Sequence, residues 1–463
     1  MSERRLARYA ATSARLVAGA AIAAAAVVGT VAAIAVPWPQ YTAQPVRLET
    51  TPAPSDTVLA CDGPLLALGR NADAAGSLSA AAPSDIVSGP ADAAATTSTL
   101  GGATGAADGD APVLRAAPRD GVLTSIAAAT SATAASDDLV GFAASACRAP
   151  LAESWLVGGA STTGANDLIE LANPGSVPAT VQLSVYGSQG VSTPPSGQNI
   201  VIAAGERRIV PLAGLLLGEE SPVVRVVSSG APVHAALQTS VTRVLLPGGV
   251  EQVAPTAQAD TRLVMPGVQV VATAAGQAGT VLRLLAPGAD ATATVALIPV
   301  DAVTPAPASF DIPLTAGLPT SVDLTGNTAG AYTVEVSATA PVVGATWSTT
   351  GFGEGADFAW YAAAPEIADP SVVAVAPGSG ASVVLAADAG DASVTLTPVE
   401  GGDPVSTPVV AGSSTALPVA AGVYRLETTA PVRASVTYTG ASALASYPLW
   451  PADAAASAVT VLP

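Results

Sequence analysis

Apolar and polar residues alternate in short runs through the last two thirds of the chain. In Val181–Tyr186 the residues Val, Leu and Val stand at every second position, with Gln and Ser between them. Tyr332–Val336 and Tyr424–Glu427 show the same alternation. Successive side chains of a β-strand point to opposite faces, so each run predicts a strand with one buried and one solvated face. Gly, Pro and Asn separate the runs, which predicts an all-β fold.

Three of the predicted strands are followed by the tripeptide Ala-Pro-Val. Its copies are Ala231–Val233, Ala340–Val342 and Ala430–Val432. Proline cannot donate a hydrogen bond to a ladder, so each copy is expected to end one strand and start another. A spacing of about 90 to 110 residues predicts tandem repeats, each the size of an immunoglobulin-like β-sandwich. The alternative is a propeller-like or merged sheet, although a propeller blade is usually shorter, about 40 to 50 residues.

The strand that opens each repeat recurs as well. Its copies are Trp155–Gly159, Leu263–Gly267 and Val373–Gly378. We therefore place the three repeats at residues 155–262, 263–371 and 372–463. Val459–Pro463 resembles the opening strand a fourth time, and we expect it to pair within the sheet of the third repeat.

An apolar stretch without charge, Leu16–Val36, precedes the repeats. Its 21 residues would span about 31 Å as a helix, which matches the hydrocarbon core of a bilayer. Four arginines stand before it, so residues 1–15 are predicted to be a cytoplasmic stub, 16–36 a single transmembrane anchor and the rest extracellular. The alternative is a cleaved signal peptide, because Ala33-Ile34-Ala35 fits the small-x-small cleavage pattern.

The region between the anchor and the repeats, residues 37–154, holds both cysteines of the chain. Cys61 and Cys147 are expected to form a disulfide, because exported proteins meet oxidising conditions. Between them, residues from about 71 to 135 are mostly Ala, Gly, Ser, Thr, Asp and Pro. Such a composition buries little apolar surface, so we expect a disordered insert there.

Charge and missing residue types narrow the functions. The formal net charge is -18 and the chain has no lysine, which argues against a nucleic-acid partner. Without lysine there is neither a P-loop nor a Ser-x-x-Lys motif. The one histidine, His234, is expected on a sheet surface. We therefore predict no catalytic, metal-binding or cofactor-binding residues, and hence no enzyme.

Four aromatic residues near the ends of the repeats allow two interpretations. They are Trp347, Trp360, Tyr361 and Trp450. Such side chains either cover the core of a β-domain or form an exposed platform that contacts cell-wall glycan.

The first repeat carries a family resemblance. WLVGG at Trp155, DLIELANPG at Asp167, ATVQLSVYGSQG at Ala179 and SPVVRVVSSGAPVHA at Ser221 resemble a repeat of exported actinobacterial proteins, the domain-of-unknown-function 5719 family. The resemblance extends from about Val58 to the end of the chain and implies no activity or ligand. We expect a non-enzymatic, membrane-anchored protein of the cell envelope with a scaffold role. The alternatives are a glycan-binding module, another envelope protein as partner and, more remotely, a wall hydrolase.

Overall fold

The computed structural model describes most of the chain as β-structure. The described residues are 3–35, 48–50, 55–70, 77–90, 95–102, 106–107, 111–274, 277–302, 308–440, 443–451 and 459–461. They belong to two compact units, one formed by residues 1–52 with 458–463 and the other by residues 53–457. The all-β prediction, with one helix at the amino-terminal end, is confirmed.

The first unit contains the single α-helix of the described residues and a pair of short strands. Helix α1 is Glu3–Ala35, strand β1 is Leu48–Thr50 and strand β36 is Val459–Val461. Within α1, Tyr9–Ile34 has a mean hydropathy of 2.2 and is long and apolar enough to cross a membrane. Strand β36 pairs antiparallel with β1. The prediction that this segment pairs within the third repeat is therefore wrong, although the alternation of Val459 and Val461 correctly indicated a strand.

The second unit contains three successive groups of strands, which we call repeats 1, 2 and 3. Repeat 1 has β11 Glu153–Val157, β12 Leu168–Ala172, β13 Ala179–Gly187, β14 Gly190–Ser192, β15 Ile200–Ile202, β16 Arg207–Pro211, β17 Val223–Ser229, β18 His234–Arg243 and β19 Leu246–Val253. Repeat 2 has β20 Asp260–Val270, β21 Thr280–Leu285, β22 Ala291–Pro299, β23 Ala308–Leu314, β24 Thr320–Asp323, β25 Gly330–Thr349 and β26 Phe358–Ala362. Repeat 3 has β27 Glu366–Ile367, β28 Ser371–Val375, β29 Ala381–Ala387, β30 Ala392–Pro398, β31 Val405–Val409, β32 Ser414–Pro418, β33 Gly422–Thr428, β34 Val432–Gly440 and β35 Ala443–Pro448. Two 3-10 turns, Pro195–Gly197 and Leu212–Gly214, lie in repeat 1.

Repeats 1 and 3 each arrange their strands in two sheets with the same order, whereas in repeat 2 the long strand β25 joins all the strands into one seven-stranded sheet. In repeat 1 the orders are β11-β17-β13-β14 and β16-β12-β18-β19, and in repeat 3 they are β28-β33-β30-β31 and β32-β29-β34-β35. The two sheets of repeat 1 share one core, to which Leu183 and Val226 contribute from the first sheet and Ile169 and Leu237 from the second. In both sheets, side chains at every second position point into this shared core. The immunoglobulin-like class stays a prediction.

The Ala-Pro-Val tripeptide marks the point where the chain passes from one sheet to the other. Strands β17 and β18 flank the first copy and belong to different sheets, as do β33 and β34 on either side of the third copy. In repeat 2 the chain stays extended through Ala340–Val342, yet β25 pairs with β22 before the tripeptide and with β21 after it. The sequence prediction that each copy ends one strand and starts another is confirmed in repeats 1 and 3, whereas in repeat 2 the tripeptide changes only the partner.

Residues 57–146 form a fourth group of strands, the N-terminal module. Its strands are β2 Thr57–Ala60, β3 Leu65–Leu68, β4 Leu78–Ala82, β5 Asp85–Pro90, β6 Thr96–Leu100, β7 Ala106–Ala107, β8 Ala111–Ala116, β9 Ile126–Ser136 and β10 Leu139–Ala146. We expected a disordered insert at about 71–135. That prediction is wrong for the described residues of this region, which form strands β4 to β9. Residues 71–76, 91–94, 103–105 and 108–110 of that expectation lie outside the described residues. Alanine and threonine form these strands because neighbouring strands supply the hydrogen bonds and the burial.

The last strand of each group lies at the centre of the second unit. Strand β10 packs against β19 and β35, and β26 packs against the same two strands. These four strands, which we call the axial strands, therefore close into a ring. Each of them is the second arm of a hairpin, formed with β9, β18, β25 and β34, respectively.

Two buried carboxylates join the axial strands. Asp357 accepts hydrogen bonds from the backbone N–H groups of Phe142 at 2.9 Å, Leu444 at 3.2 Å and Val250 at 3.3 Å, one from each of the other three groups. Glu251 similarly accepts hydrogen bonds from the backbone N–H groups of Gln252 at 2.9 Å and Ser446 at 3.3 Å. The ring is therefore held by side chains that collect backbone donors from several modules at once.

Glycine makes room for the first of these carboxylates. A Cβ atom at Gly141 would lie 2.6 Å from Asp357 Oδ1, and one at Gly249 would lie 2.7 Å from the same atom. Both glycines also have positive φ angles, 143° and 117°. Each stands one residue before an N–H donor, so the absent side chains let the axial strands approach the carboxylate closely.

Candidate functional site

A pocket of about 360 Å³ lies between repeats 1 and 2. Its repeat 1 wall comes from the loops before β12 and β17 and from the second half of β18. Repeat 2 contributes residues of β21, β24, β25 and β26. Trp347 on β25 is the direct ladder partner of Trp360 on β26. Directly opposed residues project from the same face of a sheet, so the register brings both indole rings to this pocket.

Arg283 crosses from repeat 2 to repeat 1 beneath the pocket. Its Nη1 donates to the carbonyl oxygens of Gly159 and Pro222, both at 2.9 Å, and its Nη2 donates to that of Glu220 at 3.0 Å. The guanidinium carbon lies 4.8 Å from the ring centroid of Trp360, a cation–π geometry. Burial lowers the pKa of Arg283 to about 10, although the charges of Asp167 and Glu219 act in the opposite direction.

Asp167 is the buried acid of the same pocket. Oδ2 accepts a hydrogen bond from the N–H of Ala160 at 2.6 Å, and Oδ1 accepts one from Ser240 at 3.1 Å. Burial raises the pKa of Asp167 to about 7, against the two backbone bonds and the Arg283 charge, which lower it. The carboxyl group therefore changes its charge near neutral pH, close to a fixed cation.

The four aromatic residues singled out in the sequence do not form one platform. Trp347 is half-buried and Trp360 is buried, and both line the pocket between repeats 1 and 2. Tyr361 points to the opposite face and is buried in the core of repeat 2. Trp450 is half-buried beside a different pocket of about 310 Å³, which Cys147 and Leu449 also line. Two of the four residues thus share a site, while Tyr361 has the core role that was the other interpretation.

The predicted disulfide is present. Cys61 follows β2 and Cys147 follows β10, and the bond joins them across 86 positions of sequence. Both cysteines are buried in a small core with Leu59, Leu114 and Ile126. The disulfide therefore connects the two halves of the N-terminal module.

His234 does not lie on a sheet surface, and that expectation was wrong. The residue is 1% exposed, and its Nε2 lies 2.6 Å from Asp62 Oδ1, with Arg148 Nη2 3.7 Å from the same oxygen and 3.4 Å from the imidazole nitrogen. Burial and the Arg148 charge lower the pKa of His234. Burial raises the pKa of Asp62, but Arg148 and His234 outweigh it and hold that pKa below its usual value. Repeat 1 is thus joined to the N-terminal module by this buried polar cluster, to which repeat 1 contributes His234.

The axial carboxylates were missed in the sequence because their donors come from distant segments. Burial raises the pKa of Asp357 to about 7, although four backbone hydrogen bonds lower it. Burial and the nearby Asp357 charge raise the pKa of Glu251 well above its ordinary value. The signal that could have revealed the site is the pair of glycines, Gly141 and Gly249, each just before an apolar axial residue.

Among the described residues, no group of three or more His, Cys, Asp or Glu side chains is arranged to hold a metal ion. Comparisons with known proteins add one finding. A family model described as a family of unknown function (DUF5719) matches residues 102–421, more than two thirds of the chain. No curated protein and no solved structure matches.

Proposed function

Because the chain belongs to the DUF5719 family of unknown function, we propose its role from the structure: a non-enzymatic, membrane-anchored protein of the cell envelope. In this role the four-module body is extracellular and acts as a scaffold. The observation that carries the proposal is the combination, in one chain, of an apolar helix long enough to span a bilayer and a disulfide-bonded body. Disulfides persist in oxidising compartments, and a helix on the same chain would keep the body at the membrane.

The buried ionisable groups support a structural role. Acyl transfer by a serine needs the imidazole between the hydroxyl and the carboxylate. Here the His234 Nε2 atom contacts Asp62 Oδ1 and Arg148, the Ser145 Oγ atom lies 3.1 Å from Thr130 Oγ1, and all of these residues are buried. Arg207 and Glu170 form another ion pair, at 3.3 Å, in which both side chains are buried. The Asp62–His234 contact joins the N-terminal module to repeat 1, whereas Arg207 and Glu170 both belong to repeat 1, and all four side chains are buried away from solvent.

The anchor can be tested by charge substitutions in the full-length protein. Val27→Arg with Val28→Arg puts two charges in the middle of α1, and each costs about 2.5 to 3.5 kcal/mol in a membrane. We expect these changes to reduce the membrane-bound fraction. Val201→Arg, at an exposed valine of repeat 1, is the matched control and should leave it unchanged.

Thiol labelling on the same cells tests the compartment. We expect Cys61 and Cys147 to resist alkylation until a reductant is added, and the body to be digested by protease supplied outside the cell. Two freely alkylated cysteines, in a body that external protease does not reach, would refute the extracellular assignment.

Glycan binding is the second candidate function, and Trp347 is the observation that favours it. This ring is half-buried on the wall of a pocket, so one part of its surface is open to a ligand. Purified cell wall should retain the wild-type protein and release no soluble fragments, since we propose no hydrolysis. Trp347→Ala should lower retention, whereas Trp450→Ala, at a half-buried tryptophan outside this pocket, serves as the control. Release of soluble sugar would instead support the remote alternative, a wall hydrolase.

A further inference from the structure

We propose that the pocket between repeats 1 and 2 binds an uncharged saccharide unit, with its apolar ring face on Trp347 and its hydroxyls near Arg283 and Thr239. The inference deepens the second candidate function above and rests on it, but it does not depend on the scaffold role or the membrane anchor. It identifies the ligand class and the groups that contact it.

Two polar atoms on the pocket lining lack a partner. Arg283 Nε and Thr239 Oγ1 are buried and make no hydrogen bond among the residues that the structure describes. The two residues are 5% and 2% exposed, and both line the pocket. A buried donor without an acceptor is rare in native proteins and calls for a ligand or a water molecule. Hydroxyl oxygens of a sugar accept from N–H and O–H groups, so they fit both positions.

The charges of the pocket favour an uncharged ligand. Its charged lining residues are two acids, Asp167 and Glu220, and two bases, Arg243 and Arg283. Three of the five N–H donors of Arg283 are already used by backbone carbonyls, and the carboxylates of Asp167 and Glu219 already interact with its charge. A ligand with many hydroxyls and no net charge is compatible with a lining that has equal numbers of acidic and basic residues.

The remaining lining combines an aromatic face with hydroxyl side chains. Trp347 lies beside Phe358, with the ring centroids 6.2 Å apart, while Trp360 is covered by Arg283. Trp347 is therefore the indole that remains available for stacking. The hydroxyl-bearing residues on the lining are Thr162, Thr163, Ser221, Thr239, Ser240 and Ser321. A sugar ring has this same division, with apolar C–H faces and polar edges, and the volume suits a small ligand.

The equivalent junction between repeats 2 and 3 lacks these features. Arg283 pairs with Ala345, five residues after the start of the Ala-Pro-Val tripeptide, and Val384 of repeat 3 pairs with Ser435 at the same distance. Both residues face a glycine of the preceding repeat: Arg283 faces Gly159, just after β11, and Val384 faces Gly267, at a register shift within β20. At Val384 the contact is apolar packing, so the unpartnered donor belongs to the repeat 1–2 junction and is not required by the fold.

The test measures binding of soluble disaccharides to the purified full-length protein by calorimetry or tryptophan fluorescence. The probes are cellobiose, maltose and N,N'-diacetylchitobiose, at up to about 10 mM. We expect at least one of them to bind saturably. Trp347→Ala should weaken binding by about tenfold or more, through loss of the stacking surface. Thr239→Val keeps the shape and removes the hydroxyl, and it should weaken binding several-fold.

Two controls keep the outcomes distinct. Trp450→Ala should bind as the wild type does, because its side chain lines another pocket. Thermal melting of each variant shows whether it has folded, and Thr239→Val remains informative if Trp347→Ala is unstable. Absence of saturable binding for all three probes, or equal binding by folded Trp347→Ala, would overturn the proposal. Neither result changes the outcome of the membrane and thiol experiments, which test the scaffold role separately.

Discussion

The N-terminal module and repeat 1 have corresponding ladders but very different cores. The order β2-β8-β6 corresponds to β11-β17-β13, and β5-β9-β10 corresponds to β12-β18-β19. Repeat 1 fills the space between its sheets with Leu, Ile, Val and Trp side chains in one large core. The N-terminal module has several small cores made mainly of alanine and leucine. The same strand order is therefore compatible with a strong core and a weak one.

The weak core is supported from outside the module. Strand β10 packs on β19, and β9 packs on β28 of repeat 3. Gly89 on β5 lies against Val423, where a Cβ atom would be 3.3 Å from that side chain. Together with the disulfide, these contacts supply burial that alanine side chains cannot provide. The comparison teaches that a module in a closed ring can be stabilised largely by its neighbours.

The largest expected effect comes from removing the disulfide. Cys61→Ala with Cys147→Ala opens a loop with 86 positions between its ends, which costs about 4 to 5 kcal/mol of the free energy of unfolding in the chain-entropy model. Hydrogen exchange should become faster first in β2, β8 and β9, and only later in the core of repeat 1. Chemical denaturation gives the total loss. An unchanged midpoint would show that the ring alone holds the N-terminal module.

A pair of core truncations measures the difference between the two cores. Leu183→Ala in repeat 1 should cost about 3 kcal/mol, because the residue is fully buried and leaves a cavity. Ala128→Gly in β9, 2% exposed and part of the small core around the disulfide, should cost about 1 kcal/mol, because it removes one methyl group and adds backbone freedom. Urea denaturation of both variants checks the ratio. Equal losses would contradict the distinction between a strong and a weak core.

The pH dependence tests the link between the two regions. The folded-state pKa of Asp357 is raised to about 7, so the folded protein holds a proton that the unfolded chain releases near pH 4. Stability from this group is complete below pH 4 and is lost as the pH rises through 7, about 2.5 kcal/mol between pH 5 and pH 8. Asp357→Asn removes this titration and should flatten the slope, with Glu251 and Asp167 contributing the remainder. If Asp357→Asn changes in stability between pH 5 and pH 8 by the same amount as the wild type, the assignment is refuted.

The smallest expected effect on stability comes from breaking one exposed ion pair in each region, and its size should be the same in both. Arg70→Gln breaks an ion pair with Asp138 in the N-terminal module, and Arg225→Gln breaks one with Glu153 in repeat 1. All four side chains are more than a quarter exposed, so each loss should be below about 1 kcal/mol. Added salt should reduce both effects. A much larger loss for Arg70 would mean that surface charge also supports the weak core.

The positions of many strands in the repeats could be predicted because their cores are built from branched apolar residues at every second position. Val181, Leu183 and Val185 point to one face and are fully buried, as their alternation indicates. In β9 the residues are mostly alanine with serine and threonine, and this composition gives no such contrast. The strand exists because β5 and β10 pair with both of its edges. That information is long-range and cannot be read from a local pattern.

Only part of the candidate site could be predicted, again because the rest depends on long-range contacts. Trp347 and Trp360 could be singled out as aromatic residues, but their pairing depends on the register of β25 and β26. Arg283 and Asp167 look like ordinary charged residues within or beside strands, and their burial follows from the contact between two repeats. His234 was misplaced because the Ala-Pro-Val tripeptide shows where the chain changes sheets but not what packs against the next residue.

The axial carboxylate Asp357 also constrains when the body can mature. A polypeptide emerges from the ribosome with its amino-terminal end first, so Phe142 and Val250 are present before Asp357 and long before Leu444. A nascent chain that ends in repeat 2 has the acceptor but lacks the donor from the last module. Repeats 1 and 2 can pair their own strands at that stage, yet closure must wait for β35. The final hairpin thus acts as a checkpoint, and a chain truncated before it should remain an open, protease-sensitive intermediate.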